Sequence, residues 1–295
     1  MDKATDTRQA CGRRSGRTFV WRHGGARLAV YALLLVFVGI ALFPFYWIII
    51  SSFKGFEETY ATPPTFWPQK FVWQNYTALL KDQVFLITLW NSVLVATVTT
   101  VFSLVCSMFA AYALARIKFA GAFLITVGIL VSYLMPPSIL VIPLHHLLSQ
   151  MGLIDSLWSL LVSYPTRAIP FCTWLLIGYY KTIPRELEEA AMIDGASRTR
   201  SFLTIIVPLC LPGFVATGAF NFVTSWAMFL YPLIFISSDA KQVLPVFIKG
   251  LILGDVMKWG QLMAAATLTT VPVIILFMFF QRHIAGGFTA GSVKG

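Results

Sequence analysis

Apolar residues gather in six long runs, 28–50, 89–114, 121–143, 157–179, 210–235 and 261–281, with polar stretches between them. A bilayer core about 30 Å thick takes about 20 apolar residues of helix to cross, and every run is long enough. The pattern predicts an all-α polytopic membrane protein with six transmembrane helices. A polar island, Glu186–Pro208, lies between the fourth and fifth runs. Segment 236–260 mixes charges with the short apolar runs Val243–Ile248 and Leu251–Leu253, which predicts a short amphipathic helix lying on the membrane surface.

Composition strengthens this reading. Hydrophobic residues are 58% of the chain, charged residues 12%, and mean hydropathy is +0.77. So much apolar surface in one chain calls for lipid as its solvent. The net charge of +10 raises the question of nucleic acid, and the placement of the charges answers it. Lys3, Arg8, Arg13, Arg14, Arg17, Arg22 and Arg27 all precede the first run, as the positive-inside rule expects of a cytoplasmic tail. No aromatic–basic stripe follows, so no nucleic-acid partner is expected.

Loop charges set the orientation. With the N-terminus inside, Arg116, Lys118, Lys181, Arg185, Arg198, Arg200, Arg282 and Lys294 are cytoplasmic, and both termini lie inside. The first run is too long for a signal-peptide core and passes into Phe43-Pro44-Phe45-Tyr46-Trp47 with no small-residue cleavage site, so an uncleaved anchor is expected. Segment 51–83 combines Pro63, Pro64 and Pro68 with Tyr60, Phe66, Trp67, Phe71 and Trp73. Interfacial anchoring and contact with an extracytoplasmic partner both explain such a loop. Cys11, Cys106, Cys172 and Cys210 form no CxxC pair and read as small packing residues.

The runs contain no Asp or Glu, and Arg167, between Pro165 and Pro170, is their one fixed charge. Proton- or sodium-coupled carriers place ionisable groups or broken helices at mid-membrane, so a secondary carrier is a weaker alternative. There is no G-x4-G-K-[ST] loop, and the chain is not expected to bind ATP by itself. His145 and His146 are adjacent and point to different sides of a helix, which disfavours a joint metal site. A membrane-embedded enzyme built on those histidines and Arg167 lacks a supporting cluster of acids. No catalytic residue and no metal ligand is assigned. Arg167 reads equally as an interfacial anchor or as a group facing an aqueous cavity.

The polar island has the features of a docking element. Pro184 suits a helix start, and Glu186, Glu188 and Glu189 favour the positive end of the helix dipole. Ala190 and Ala191 allow close approach. Gly195 supplies a left-handed turn, and Ser197 caps a second short helix running to Pro208. Glu189-Ala190-Ala191, Gly195, Ile205 and Pro208 together follow EAA-x3-G-x9-I-x-x-P. This resembles the signature of permease subunits of ATP-binding-cassette (ABC) importers. The ending Gly287–Gly295, GFTAGSVKG, is similar to that of MalG-type permeases, and the resemblance spans residues 28–295.

The charges give a basic cytoplasmic tail at 1–27, and the resemblance implies a six-span ABC permease domain at 28–285 and a cytoplasmic tail at 286–295. It implies that Glu189, Ala190, Ala191, Asp194 and Gly195 form the helix that couples to an ATPase. It implies a second homologous permease, two ATPase subunits carrying ATP and Mg, an extracytoplasmic solute-binding protein, and a carbohydrate cargo expected to be an oligosaccharide. A polyol or a glycerol phosphate ester is the alternative cargo. Gly218, Asn221 and Ser225 share a small polar face in the fifth run, beside Trp226. Helix packing explains that face, and so does a solute path. Related sugar permeases often have Trp-Asn-Asp or Trp-Asn-Glu where this chain has Trp226-Ala227-Met228.

Overall fold

The structure, a computed structural model, describes residues 23–252 and 258–289, with side chains described over 28–252 and 258–281. The chain divides into two units, Met1–Trp47 and Ile48–Gly295. Helix α1 (His23–Ser52) begins in the first and ends in the second. From Leu28 to Phe45 its side chains are exposed. An apolar helix without protein cover is solvated by lipid, because its backbone is satisfied internally.

In the second unit, α2 (Phe56–Thr59) and α3 (Gln74–Lys81) lead into α4 (Gln83–Arg116). Asp82 caps α4 by accepting from the Val84 amide, and Arg116 sits at its C-terminal end, where a cation complements the dipole. Then come α5 (Ala122–Leu134), α6 (Pro137–Gln150), α7 (Leu157–Ser163), α8 (Pro165–Thr182) and α9 (Glu186–Ile193). Helix α10 (Arg198–Ser201) passes through a π-helical turn, Phe202–Ile206, into α11 (Val207–Leu209) and α12 (Leu211–Trp226). Finally α13 (Leu230–Phe235), a 3-10 turn at Asp239–Lys241, α14 (Leu244–Ile252) and α15 (Trp259–Thr289) complete the chain. Helix α14 occupies the segment expected to hold a short surface helix.

Among the described residues, four helical stretches are long and apolar enough to cross a membrane, and two bent pairs raise the number to six. The bends correct the sequence boundaries. The expected span 121–143 turns by 97° between α5 and α6 and continues to Gln150. Pro136 and Pro137 cause this, since proline lacks an N–H and disfavours the helical conformation of the preceding residue. The expected span 210–235 is bent by 71° at Cys210 and starts earlier, at Arg198. Beyond that break the helix ends at Trp226, and α13 is a separate element.

Helix α4 is the centre of packing, chiefly against α8 and α12. Thr88, Ser92, Ala96, Thr99, Ser103, Ser107 and Ala111 form a buried stripe of small residues along it. Small side chains let helices approach closely where lipid gives no hydrophobic drive. Ser107 reaches across the seam to donate to the Ile169 carbonyl at 3.0 Å. One cluster at the α9 end unites Tyr112, Leu176, Tyr180, Phe202 and Ile206. Another, near the opposite end, joins Leu79, Phe85, Trp226 and Leu244.

The end opposite α9 is tied by polar bonds. Asn91 donates to the carbonyls of Ala240 and Gln242 at 3.1 and 2.9 Å, and Ser92 accepts from the Leu244 amide at 2.8 Å. Asp155, with φ +54, accepts from the Ser237 and Ser238 amides at 3.0 and 2.8 Å and pairs with Lys241 at 3.1 Å. Bonds from the Ser238 hydroxyl, the two amides and Lys241 hold the Asp155 carboxyl well below the usual carboxylate range.

Candidate functional site

The polar island folds into a helix–turn–helix. Glu186, Glu188 and Glu189 occupy the first turn of α9, and Pro184 stands two residues ahead of it rather than inside it. Asp194 is the C-cap and Gly195 has φ +88, the left-handed region that glycine adopts without penalty. The Ala196 amide then closes onto the Ala191 carbonyl at 2.9 Å. Ser197 caps α10 by accepting from the Arg200 amide at 3.3 Å.

The faces of α9 differ. Leu187, Glu189, Ala190 and Ile193 are exposed, and Ile193 shows 86% of its surface. Glu188, one residue from the signature glutamate, turns inward and is buried. Its carboxylate accepts from the Tyr112 hydroxyl of α4 and lies 3.8 Å from Arg116 Nε. Arg116 also donates to the Tyr180 and Ile183 carbonyls at 2.7 and 2.8 Å, closing the end of α8. The loop is thereby fixed to α4 and α8. Beside it, Arg116, Lys118, Arg185, Arg198, Glu188 and Glu189 line a basic cleft of about 350 Å³. Sequence reasoning named Glu188 and Arg116 for their charge alone and missed Tyr112 and the contact that joins the three. Three clustered glutamates do not reveal which one turns inward.

A second site lies between α5, α8 and α12. A cavity of about 70 Å³ is bounded by Tyr133, Tyr164, Arg167, Phe171, Phe220, Asn221, Thr224, Ser225 and Met228. Arg167 Nη1 donates to the Met135 carbonyl at 2.9 Å, at the α5–α6 bend, and its guanidinium lies 5.9 Å from the Tyr133 ring centre. The structure divides the four residues of the fifth run. Asn221 and Ser225 line this cavity. Gly218 faces Leu104 and Thr100 of α4, where an added Cβ would come within 2.8 Å of Leu104 Cδ1. Trp226 turns toward α15, donating from Nε1 to the Thr269 carbonyl at 3.2 Å and stacking on Phe222.

Elsewhere, His146 bonds Gln150 at 3.1 Å and His145 lies near Phe235. Among the described residues no three His, Cys, Asp or Glu side chains converge. Cys172 and Cys210 are buried and unbridged. Phe56, Phe66, Trp67, Phe71 and Trp73 are exposed at the end opposite α9, on a loop tied back through Asn75 to the Ser52 carbonyl at 2.8 Å. The expected tails, 1–22 of the N-terminal segment and 290–295 of the C-terminal one, lie outside the described residues.

A polytopic helical bundle with a charged helix–turn–helix presented at one end defines a membrane transport subunit. The family of binding-protein-dependent transport system inner membrane components matches residues 103–289. The chain belongs to that family. It is 34% identical over 272 residues to the inner membrane ABC transporter permease protein YcjP of Escherichia coli K12, covering 92% of this chain and 97% of that protein. It is 37% identical to the sulfoquinovosyl glycerol transport system permease protein SmoH of Agrobacterium fabrum, covering 86% and 89%. The trehalose/maltose transport system permease protein MalG of Thermococcus litoralis is 34% identical, with 91% and 96% covered. In fold it resembles a chain of a bacterial ABC transporter that imports the acidic polysaccharide alginate, with a TM-score of 0.77, 22% identity, and 90% and 99% covered.

Proposed function

We propose that this chain is the permease subunit of an ABC importer and forms half of a translocation path for a carbohydrate. The observation that carries the reading is α9, whose exposed edge of Leu187, Ala190 and Ile193 is backed by a buried Glu188 fixed to the spanning helix α4. An exposed apolar edge fits a cleft on a partner, and the internal bond would pass its displacement into the bundle. Glu189, Ala190, Ala191, Asp194 and Gly195 form the ATPase-facing surface in this reading. The basic loops support a cytoplasmic position for α9 and both termini. The names of the relatives, which include trehalose/maltose and sulfoquinovosyl glycerol systems, support a sugar or sugar-derived cargo.

The complex then contains a second homologous permease, two ATPase subunits that hold ATP and Mg, and a solute-binding protein docking at the end with the exposed aromatic loop. A structural neighbour in complex with an oligosaccharide-bound periplasmic protein supports that last partner. Closure of the ATPase pair would move α9 and switch the path between its two openings. Asn221 and Ser225 supply hydroxyl-matching donors and acceptors to it. The chain itself performs no bond chemistry.

The test is uptake by proteoliposomes holding the four-subunit complex with its binding protein. Sugar should enter only with ATP inside the compartment that faces α9, and a protonophore should leave uptake intact. Uptake that survives ATP removal and collapses with the proton gradient would overturn the reading in favour of a secondary carrier.

A further inference from the structure

Arg167, half-buried in the first turn of α8, is the one charged residue well inside the apolar stretch Leu157–Thr182, and the sequence-defined apolar runs hold no Asp or Glu to neutralise it. Among the described residues no carboxylate pairs with it; it donates to the Met135 carbonyl, lies beside the Tyr133 ring and is near enough to Tyr231 to act on it electrostatically. A charge in a membrane protein is costly to keep without a counter-ion. Capping the Met135 carbonyl does not require that charge, since a neutral amide N–H would do the same. Something else makes the positive charge useful.

The surroundings say what. The guanidinium carries five N–H donors in a planar fork suited to an oxyanion, and Met135 engages one of them. Asn221, 1% exposed, lines the same cavity and its Nδ2 has no hydrogen-bond partner. A buried amide left unpartnered is expensive, and a ligand acceptor would satisfy it. Phe171 and Phe220, 4.6 Å apart, add an apolar wall. The cavity of about 70 Å³ has room for roughly two waters, each with a share of about 30 Å³ of the liquid. That suits a charged group, with the body of its carrier outside.

We infer that Arg167 and Asn221 form a subsite for an oxyanion group, a carboxylate, sulfonate or phosphate, on the transported carbohydrate. The inference rests on the proposed importer function and narrows its cargo to acidic sugars.

Thermal stability of the purified complex in nanodiscs tests it with three probes: methyl glucuronide, glucose 6-phosphate and neutral methyl glucoside. At least one charged probe should stabilise the complex at concentrations about tenfold below those the glucoside needs, the scale of a charged hydrogen bond. Which one does so distinguishes carboxylate from phosphate. Arg167→Gln should erase that difference and Arg167→Lys should keep part of it. Equal response of the unaltered complex to all three probes overturns the inference, as does full discrimination by Arg167→Gln. Equal response together with poor recovery of the Arg167→Gln complex would assign the charge instead to a carboxylate of the second permease. Should Arg167→Gln not assemble, the unaltered complex and Arg167→Lys still decide. The measurement needs neither ATP nor the binding protein, so failure here is distinct from failure of ATP-driven uptake, which alone would remove the importer reading.

Discussion

The buried carboxylate of Glu188, on the short helix α9, accepts a hydrogen bond from the hydroxyl of Tyr112, near the end of the spanning helix α4. The residues are 76 positions apart, and Arg116 stands beside both. Removing one member of a buried charged group strands the other. Glu188→Ala should therefore cost about 3–5 kcal/mol, and Tyr112→Phe about 1.5–3 kcal/mol. In a double-mutant cycle read by denaturation of the complex, the pair should cost less than the two single changes added. Strict additivity would refute the contact.

Gly195 tests the turn. Its φ is +88, yet a Cβ there meets no atom within 4 Å. The penalty for a substitution is then backbone strain alone, about 1–2 kcal/mol for an ordinary residue and less for Asn, which tolerates this region. Gly195→Val should lower solute-stimulated ATP hydrolysis while the protein still inserts, and Gly195→Asn should restore most of it. Equal loss in both variants would point to contact with a partner rather than to the turn.

Glu189 is exposed where Glu188 is not, so the two acids should fail differently. Glu189→Lys puts the wrong sign at a helix N-terminus and on the docking face. We expect the bundle to keep its melting temperature and the ATPase to co-purify poorly. Normal recovery of the ATPase with full coupling would remove Glu189 from the interface.

Orientation can be read directly. Ser197, exposed at the cap of α10, should resist a membrane-impermeant thiol reagent as Ser197→Cys in intact cells and react after lysis. Labelling from outside would invert the topology.

Asp155 yields a pH prediction. Its pKa is depressed in the folded protein, so its contribution to stability is present above the ordinary carboxylate pKa of about 3.9 and is lost as pH falls through the folded value. The clasp to Ser238 and Lys241 should be indifferent to pH from about 5 to 8 and weaken only in strong acid. Asp155→Asn should abolish that acid dependence. Hydrogen exchange of the Ser237 and Ser238 amides reports it, and opening near neutrality would contradict the assignment.

The spans and the docking loop were legible because both rest on local signals: long apolar runs, a proline and acids at a helix start, a glycine at its end. The bend at Pro136-Pro137 was written in the sequence too, although run length alone concealed it. The break at Cys210 carries a weaker sequence signal, the flanking Pro208 and Pro212. The orientation of Glu188 was not legible, since it depends on meeting a tyrosine far along the chain. The fifth run shows the same limit. Gly218, Asn221 and Ser225 share a helix face by spacing, but α4 covers the glycine while the cavity beside Arg167 takes the other two. Arg167 itself was conspicuous as a lone charge, and only the packing of α5, α8 and α12 gave it neighbours.

Helix α4 runs from Gln83 to Arg116 without a proline or glycine. Tyr112 near one end meets the docking helix, and Asn91 near the other holds the segment around Ala240 and Gln242. At a rise of about 1.5 Å per residue the two lie about 31 Å apart along a single rod. A rod of that length is a lever: a tilt of about 5° about Tyr112 carries Asn91, and the carbonyls it grips, sideways by about 3 Å. That is about the width of a water molecule, so in the proposed importer a small rocking at the α9 end would be enough to change what the opposite end admits.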